Sequence, residues 1–291
     1  MLNQQSSSRI LLVITALLFS TGGAAIKFAN ISGWQLASYR SGIAAILLFA
    51  FLPGTRRGYN LRVGGAALCY AGTLVSYVLA NRLTTAANTI YLQSISPVYV
   101  VLLSPILLRE KATRKDYYFT GLTLCGLLLV FAGADPPSRT APDPFRGNLL
   151  ALASGLFWAL ALIAMRFLGR SREDADSAYA VAFGGNLLAF LICLAPAVAQ
   201  PAPHLADWVT VVYLGAFNIG LSYICLTHGI RRVTAVETST ILLLEPALNP
   251  LWTWLLAGER PSRLALLGGV VIMSATAFRI LFGSRAQKEA F

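Results

Sequence analysis

The sequence predicts an all-α integral membrane protein whose ten transmembrane helices form two inverted five-helix repeats. Of its 291 residues, 56% are hydrophobic and only 12% are charged, and the mean hydropathy is +0.66, which is too apolar for a soluble domain of this length. Apolar segments of membrane-spanning length recur along the chain. A stretch of 26 residues also occurs twice, 149 positions apart. These three observations define the predicted class.

Ten apolar segments approach the ~20 residues that a helix needs to cross a bilayer core of ~30 Å. They cover residues 10–28, 34–52, 64–81, 86–108, 117–134, 147–168, 177–198, 207–229, 235–257 and 263–282. The long connection at residues 134–146 contains four prolines and is predicted to be non-helical. Because five spans lie on either side, the chain divides into a first repeat (1–135), a linker (136–146) and a second repeat (147–291).

The repeated stretch covers residues 85–110 and 234–259, the fourth and ninth predicted spans. Seven of the 26 aligned residues are identical, including one proline near the middle of each copy (Pro97, Pro246) and a glutamate at the end (Glu110, Glu259). A proline and a glutamate that keep their spacing indicate a duplicated unit rather than shared apolar composition. With an odd number of spans in each unit, the second unit enters the membrane from the opposite face.

Positive charges set the predicted orientation. With both termini in the cytoplasm, sixteen Lys and Arg residues lie on the cytoplasmic side and five on the other side. This distribution is the one that Lys and Arg favour in membrane proteins. The formal net charge of +11 comes from residues that stand singly or in short groups between spans, so anionic lipid, and not nucleic acid, is the expected partner.

The residues that could support enzymatic or metal chemistry are few. Four cysteines fall inside predicted spans without a CxxC pair and are interpreted as packing residues: Cys69, Cys125, Cys193 and Cys225. Two histidines are too few for a metal cluster, and no nucleophile motif occurs within the spans. The sequence therefore predicts neither an enzyme nor a cofactor.

The order and spacing of several motifs resemble both units of the EamA family in the drug/metabolite transporter superfamily. The motifs are ALLFSTGGAAIKFA (16–29), WQLASYRSGIAAILLFAFL (34–52), LLREK (107–111), ALASGLFWALALIAMRFL (151–168) and ILLLEPALNPLWTWLLAGERPSRLALLGGVVIM (241–273). The resemblance covers nearly the whole chain. It implies a bacterial inner-membrane carrier, often an exporter, with ten helices around a central cavity. Members of the family carry amino acids, including aromatic ones, and other small compounds.

Polar side chains inside the spans indicate where a pathway could run, because a polar group in a bilayer needs a partner or water. Three spans carry polar residues at helical spacing: Tyr70, Thr73, Tyr77 and Asn81 in span 3; Asn88, Tyr91 and Tyr99 in span 4; Thr238, Glu245, Asn249 and Trp252 in span 9. Lining of a cavity and hydrogen bonding between helices both explain this pattern.

Pro97 and Pro246 are predicted hinges, since each removes a backbone hydrogen bond near mid-helix. Paired bends across an inverted repeat are typical of transporter binding sites and moving parts. A structural kink without a role in coupling is the alternative.

Three charged residues within spans need explanation. Glu245 is the only acid in the middle of a span, and because burial favours the neutral form of a lone carboxyl, it is a candidate proton or amine site. Its alternative role is to bond the neighbouring backbone. Arg40 needs an internal partner, such as a carbonyl or a substrate carboxylate. Lys27 is expected to snorkel towards the membrane surface. Outside the spans, Glu110 and Glu259 end their helices at opposite faces and are interpreted as structural anchors.

Together these features predict a secondary transporter that exports amino acids, aromatic ones included, or similar small amphipathic metabolites by alternating access. The predicted substrate-binding residues are Arg40, Tyr77, Asn81, Tyr91, Tyr99, Trp158, Asn218 and Glu245. Efflux of lipophilic cations, with Glu245 pairing the positive charge, is the alternative. An intramembrane enzyme or a lipid-handling protein is a less favoured one. The sequence does not set the oligomeric state, and a monomer is the simplest expectation.

Overall fold

The computed structural model describes residues 4–107, 114–133, 137–168, 177–230, 233, 238 and 241–283, and within these ranges the chain is helical and contains no strand. Six helical stretches in this part of the chain are long and apolar enough to cross a membrane: Ser6–Phe28, Leu61–Leu83, Ala86–Leu103, Pro144–Met165, Ala178–Val198 and Leu205–Gly229. Two shorter helices, Tyr117–Ala132 and Arg263–Phe278, are also apolar. The prediction of a helical membrane protein is confirmed at this level.

Helices of the first half follow the predicted spans closely. They are α1 (Gln4–Ser20), α2 (Gly22–Phe28), α3 (Gly33–Phe51), α4 (Leu61–Leu83), α5 (Ala86–Gln93), α6 (Ser96–Leu107) and α7 (Arg114–Ala132), with a 3-10 turn at Pro53–Arg56. Capping residues fix where several of these helices begin. Ser32 and Gln35 form a capping box at α3, and the side chains of Asn60 and Thr85 accept backbone hydrogen bonds in the first turns of α4 and α5.

The second half begins after the proline-containing connection. Its elements are α8 (Pro144–Leu168), α9 (Ser177–Val198), α10 (Leu205–Val212), a π-helical segment (Tyr213–Leu221), α11 (Ser222–Gly229), α12 (Leu244–Ala257) and α13 (Arg263–Gly283). Gly258 ends α12 in the left-handed region with φ of 68°, a conformation that favours glycine.

Both copies of the repeated stretch break at the same aligned position. The first helix stops at Gln93 and resumes at Ser96 after a turn at Ser94, and the second copy turns at Leu243, the residue aligned with Ser94. Each turn lies three residues before its proline, Pro97 or Pro246, where a helical backbone donor is lost. Glu110, the other repeated landmark of the first copy, lies outside the described residues.

The bundle has two distinct ends. The end that includes Leu52–Arg57 and the first turns of α9 is called the cavity end here. The opposite end includes the last turn of α4, the first turn of α5 and Glu259, and is called the sealed end. The polar contacts described below justify both names.

Glycines allow neighbouring helices to pack at very short range. At the crossing of α7 and α13, a Cβ atom on Gly268 would lie 2.5 Å from the carbonyl oxygen of Gly126. Where α4 meets α9, a Cβ on Gly185 would lie 2.4 Å from the Tyr70 ring. Close backbone approach through small residues is how helices associate in a bilayer. These contacts fix the ring of Tyr70 against α9.

We expect Gly268→Leu to destabilise the protein by about 1–3 kcal/mol, because the new side chain would displace the backbone of α7. The matched control is Gly64→Leu, since a Cβ on Gly64 meets no atom within 4 Å. Thermal unfolding of the purified protein in detergent would measure the difference. Equal unfolding temperatures for the two variants would contradict the close packing of α7 and α13.

Candidate functional site

A cavity of about 310 Å³ lies at the cavity end, between α4, α8, α9 and α11. Most of its lining is apolar, and its aromatic side chains are Tyr70, Trp158, Tyr179 and Tyr223. Beside it, a more polar recess of about 440 Å³ is lined by Arg56, Arg57, Tyr179 and His228 among others. A concave, mainly apolar site of this size suits a small organic ligand.

Aromatic rings form the floor of the cavity. The ring centroid of Tyr70 lies 5.7 Å from that of Trp158 and 6.1 Å from that of Tyr223. The hydroxyl groups of Tyr70 and Tyr223 are hydrogen-bonded to each other. Phe19 of α1 adds an edge-to-face contact with Tyr223 at 5.8 Å. The cavity lining therefore offers aromatic rings to a ligand, and two of these rings carry hydroxyl groups that are bonded to each other.

Below this floor, polar side chains from five elements form a group called the central polar cluster. Its members are Arg40 of α3, Tyr70 and Tyr77 of α4, Asn186 of α9, Tyr223 of α11 and Asn249 of α12. Asn186 lies beside the Tyr70 hydroxyl and Asn249 beside that of Tyr77. The cluster joins the cavity through Tyr70 and Tyr223.

Arg40 is buried in this cluster with few hydrogen-bond partners. Its side chain is on a residue only 3% exposed, and one Nη atom donates to the carbonyl oxygen of Leu74 at 3.2 Å. Its Nε atom has no hydrogen-bond partner among the described residues. The predicted carbonyl partner is present, and the Nε donor is left for another group.

Asn218, in the π-helical segment, supports the break between α1 and α2. Its amide nitrogen donates to the carbonyl oxygens of Leu18 at 2.6 Å and Phe19 at 3.3 Å. A Cβ on Gly22, just beyond the break, would lie 3.0 Å from the same amide. Asn218 thus satisfies carbonyl groups of an interrupted helix, as buried backbone requires. π-Helical turns often occur at functional positions.

The sealed end is held by a buried ion pair. Lys27 Nζ lies 2.8 Å from Glu259 Oε1, and the two side chains are 3% and 1% exposed. The same lysine donates to the carbonyl oxygens of Thr84 at 2.6 Å and of Thr140. The second oxygen of Glu259 accepts from the backbone of Ala86 at 2.9 Å. One pair therefore joins α2, α5, the connection before α8 and the end of α12.

Other polar contacts reinforce this closure. Arg82 donates to three carbonyl oxygens at and beyond the end of α2, those of Ile26, Ala29 and Ile31, at 2.8–3.2 Å. A carboxylate oxygen of Asp207 accepts from the backbone of Asn30 at 2.8 Å. Glu259 therefore has the anchoring role predicted for it, at the sealed end. Lys27, in contrast, does not snorkel, because its ammonium group is enclosed by these acceptors.

The other residues predicted to bind substrate lie in different surroundings. Asn81 is fully buried, and neither of its amide atoms has a hydrogen-bond partner among the described residues. The Tyr91 ring packs on Gly269 of α13, and Tyr99 lies half-buried against the same apolar cluster. Trp158 lines the cavity, and Tyr77 belongs to the central polar cluster. The structure thus brings Arg40 to the α4 backbone at Leu74, between Tyr70 and Tyr77, with Trp158 in the adjoining cavity.

The predicted set omitted Tyr70, Tyr223, Asn186 and Asn249. Tyr70 and Asn249 already stood in the polar faces of spans 3 and 9, one or two helical turns from Tyr77 and Glu245. Asn186 and Tyr223 are single polar residues in long apolar helices, so no periodic pattern identified them. Their contacts depend on how α9 and α11 pack around α4.

A helical bundle with an aromatic cavity at one end and a polar closure at the other defines the class of a multi-pass membrane carrier. The model of the EamA-like transporter family matches residues 7–132 and 145–281, nearly the whole chain in two blocks. The protein belongs to the EamA-like transporter family.

One relative has a name that agrees with this class, and a second relative is similar over most of the chain. The chain is 25% identical over 277 residues to the pseudopaline exporter CntI of Pseudomonas aeruginosa, covering 92% of this chain and 94% of that protein. It is 30% identical over 285 residues to the uncharacterized protein PA1977 of the same species, covering 91% and 94%. A solved crystal structure superposes with a TM-score of 0.60 at 20% identity, covering 97% and 99% of the two chains, which shows a shared fold.

We expect a thiol at the cavity to react with a water-soluble maleimide and a thiol at the sealed end to stay protected. The test places Leu226→Cys, in the cavity lining, or Ala141→Cys, buried beside Thr140, in a background whose four native cysteines are serine. Labelling rates of the purified protein would differ by about tenfold or more, as for open and closed regions. Equal rates at the two positions would contradict the closure.

Proposed function

We propose that the protein is a secondary transporter that exports amino acids, aromatic ones included, or similar small amphipathic metabolites across the bacterial inner membrane by alternating access. The observation that carries the proposal is the contrast between the two ends of the bundle. A ligand-sized cavity lies at one end, and a buried ion pair closes the other. A carrier in one of its two access states has this arrangement.

Charge supports an orientation with the cavity end in the cytoplasm. Arg56, Arg57 and Arg62 lie on exposed positions at this end, and Lys and Arg favour the cytoplasmic side of short connections. With this orientation both termini are cytoplasmic, and the cavity faces the compartment from which an exporter takes its substrate. The relative named as a pseudopaline exporter supports the same direction of transport.

We extend the architecture to ten transmembrane helices in two inverted repeats around the central cavity, with units 1–135 and 147–291 separated by the linker 136–146. The two family matches and the aligned turns at Ser94 and Leu243 support this extension. The packing pattern also supports it. α4 packs on α8, and its counterpart α11 packs on α1 in the same way. α5 and α6 also pack on α8, and their counterpart α12 packs on α1 and α2. α3 packs on its own counterpart α9, and α7 on its own counterpart α13.

In the proposed cycle, the substrate enters between the aromatic side chains of the cavity and reaches the central polar cluster. The hinges are the turns before Pro97 and Pro246, because both lie in helices that contact the opposite half. The transporter works as a monomer in lipid, with a small molecule as its only substrate, and needs no cofactor, nucleic acid or catalytic step.

Efflux of lipophilic cations is the second candidate function. Glu245 is an acid within a predicted span, and a carboxyl group in an aromatic-rich bundle also suits an organic cation. The two candidates differ in what crosses the membrane.

We expect purified protein in liposomes to move labelled phenylalanine faster than empty liposomes do. A Tyr70→Ala or Trp158→Ala variant should reduce the rate about tenfold, because each removes part of the aromatic floor. Phe145→Ala, at an exposed position outside the cavity, is the control. Flux of ethidium without flux of amino acids would favour the second candidate, and no flux of either would overturn transport of both kinds.

We expect Lys27→Met to open the sealed end. The variant leaves Glu259 buried without its cation, which costs about 3–5 kcal/mol in comparable pairs. The maleimide reaction of Ala141→Cys should become faster while that of Leu226→Cys becomes slower. Arg146→Gln is the control, because its pair with Asp143 at the same end is solvent-exposed and contributes about 0–1 kcal/mol. Unchanged labelling of Ala141→Cys would show that the pair does not hold this end closed.

A further inference from the structure

We propose that the polar recess beside the cavity binds the head group of one anionic phospholipid, with Arg56 and Arg57 holding its phosphate. The site is separate from the cavity and does not depend on which solute the protein transports. It fixes one lipid molecule at a defined position, which a general attraction between basic residues and an anionic membrane surface does not do.

The lining of the recess is basic. It contains Arg56, Arg57 and His228, and no aspartate or glutamate is among the described residues that line it. Neither arginine forms an ion pair with a carboxylate in the described part of the chain. The recess, of about 440 Å³, is large enough for a phosphate and its glycerol group. Basic recesses between transmembrane helices are typical binding sites for anionic head groups.

A well-braced turn holds Arg56 in place before any ligand binds. The 3-10 turn Pro53–Arg56 is closed by Thr55, which is fully buried and whose hydroxyl donates to the carbonyl oxygen of Leu52 at 2.6 Å. The Arg56 guanidinium donates to the carbonyl oxygen of Phe49 at 3.2 Å and lies 5.0 Å from the centroid of the Phe49 ring. The other N–H donors of this planar group can form two parallel bonds with a phosphate. Binding therefore costs little ordering of this side chain.

An apolar stripe on α3 leads from the recess into the membrane. Ile46, Phe49 and Pro53 follow one another at helical spacing, and all three are exposed. Because α3 forms the second predicted span, its exposed apolar side chains face the acyl chains of the bilayer. A phospholipid whose acyl chain lies along this stripe places its phosphate at Arg56. The stripe therefore favours a phospholipid over a soluble phosphate compound.

Both halves of the chain form the recess. The end of α3 and the turn after it form one wall, and Tyr179 of α9 and His228 of α11 form the other. The His228 ring is fixed by a hydrogen bond from Nδ1 to the carbonyl oxygen of Ile224 at 2.8 Å. Leu52 and Tyr179 also line the cavity, so a head group in the recess lies next to the cavity. A lipid bound here bridges the two halves at the cavity end.

Native mass spectrometry of the full chain, released from a neutral detergent, tests the site by counting the lipid molecules that stay bound. Phosphatidylglycerol carries an anionic phosphate and two acyl chains, phosphatidylcholine carries the same chains without net charge, and glycerol phosphate carries the phosphate without chains. The unmodified protein should retain one phosphatidylglycerol molecule, with an affinity about tenfold or more above its affinity for either of the other compounds.

Loss of either recess arginine should weaken this binding. Arg56→Gln and Arg57→Gln should each lower the affinity for phosphatidylglycerol about tenfold, because each removes a charged donor to the phosphate. Both residues are exposed, so the unfolding temperature without added lipid should stay unchanged. Arg62→Gln is the matched control, since Arg62 lies at the same end but stacks 5.6 Å from the Phe167 ring and is not among the described lining residues. This variant removes the same charge and should bind phosphatidylglycerol as the unmodified protein does.

Equal retention of phosphatidylglycerol and phosphatidylcholine would overturn the site. An equal loss of affinity in Arg62→Gln and in the two recess variants would also overturn it, because only the net charge of this end would then matter. Binding of glycerol phosphate as tight as that of phosphatidylglycerol would reject a phospholipid as the occupant. Retention of the lipid by a protein that moves neither phenylalanine nor ethidium would support the site and reject only the proposed transport function.

Discussion

The fold depends on one constraint, that a polar group inside a bilayer must find a partner or water. At the sealed end the charged groups meet this constraint within the protein, whereas Asn81 and one amide atom each of Asn88 and Asn148 have no hydrogen-bond partner among the described residues. The charges of Lys27 and Glu259 neutralise each other, and their remaining bonds go to backbone groups of α5 and of the connections around it. Arg82 satisfies the carbonyl groups at and beyond the end of α2 in the same way. The ion pair and these hydrogen bonds consequently close this end.

In the centre the same constraint is met only in part. Arg40, Asn249 and Asn186 each retain at least one buried polar atom without a hydrogen-bond partner among the described residues. A stable closed core would not keep such groups, since each leaves a desolvation cost uncompensated. In the proposed transport function, a substrate that enters from the cavity end would bond these groups and remove the cost.

The buried ion pair gives a physical reason for the proposed alternating access. The ion pair at the sealed end has a large attraction and a large cost of desolvation, so its net contribution is small compared with either. A modest gain from substrate binding can therefore shift the balance between the closed and the open arrangement. The turn at Ser94 follows α5, and the turn at Leu243 precedes α12, whose end lies next to Glu259. In the proposed cycle these two turns are the points at which the helices bend.

Much of the fold could be predicted from the sequence because bilayer thickness and helix rise fix the length of each apolar segment. The breaks in the fourth and ninth spans could be anticipated from Pro97 and Pro246, since the missing backbone donor has a local effect. Tyr77, Arg40 and Glu245 stood out as polar residues in apolar helices.

Contacts between distant segments could not be predicted in the same way. Lys27 and Glu259 are 232 positions apart, and a lysine near a helix end also fits snorkelling. Tyr91 and Tyr99 have the spacing of a polar face, yet whether they meet a cavity or a neighbouring helix depends on how α13 packs. The π-helical geometry around Asn218 has no clear signal in its apolar sequence.

Alternating access requires the two ends to open in turn. Pulsed dipolar spectroscopy of spin labels measures this directly. One pair of labels at Asn30 and Arg260 reports on the sealed end, and a second pair at Arg57 and Ile230 reports on the cavity end, all at exposed positions. On addition of a transported solute, the first distance should increase and the second should decrease. No change in either distance, or changes of the same sign at both ends, would contradict alternating access.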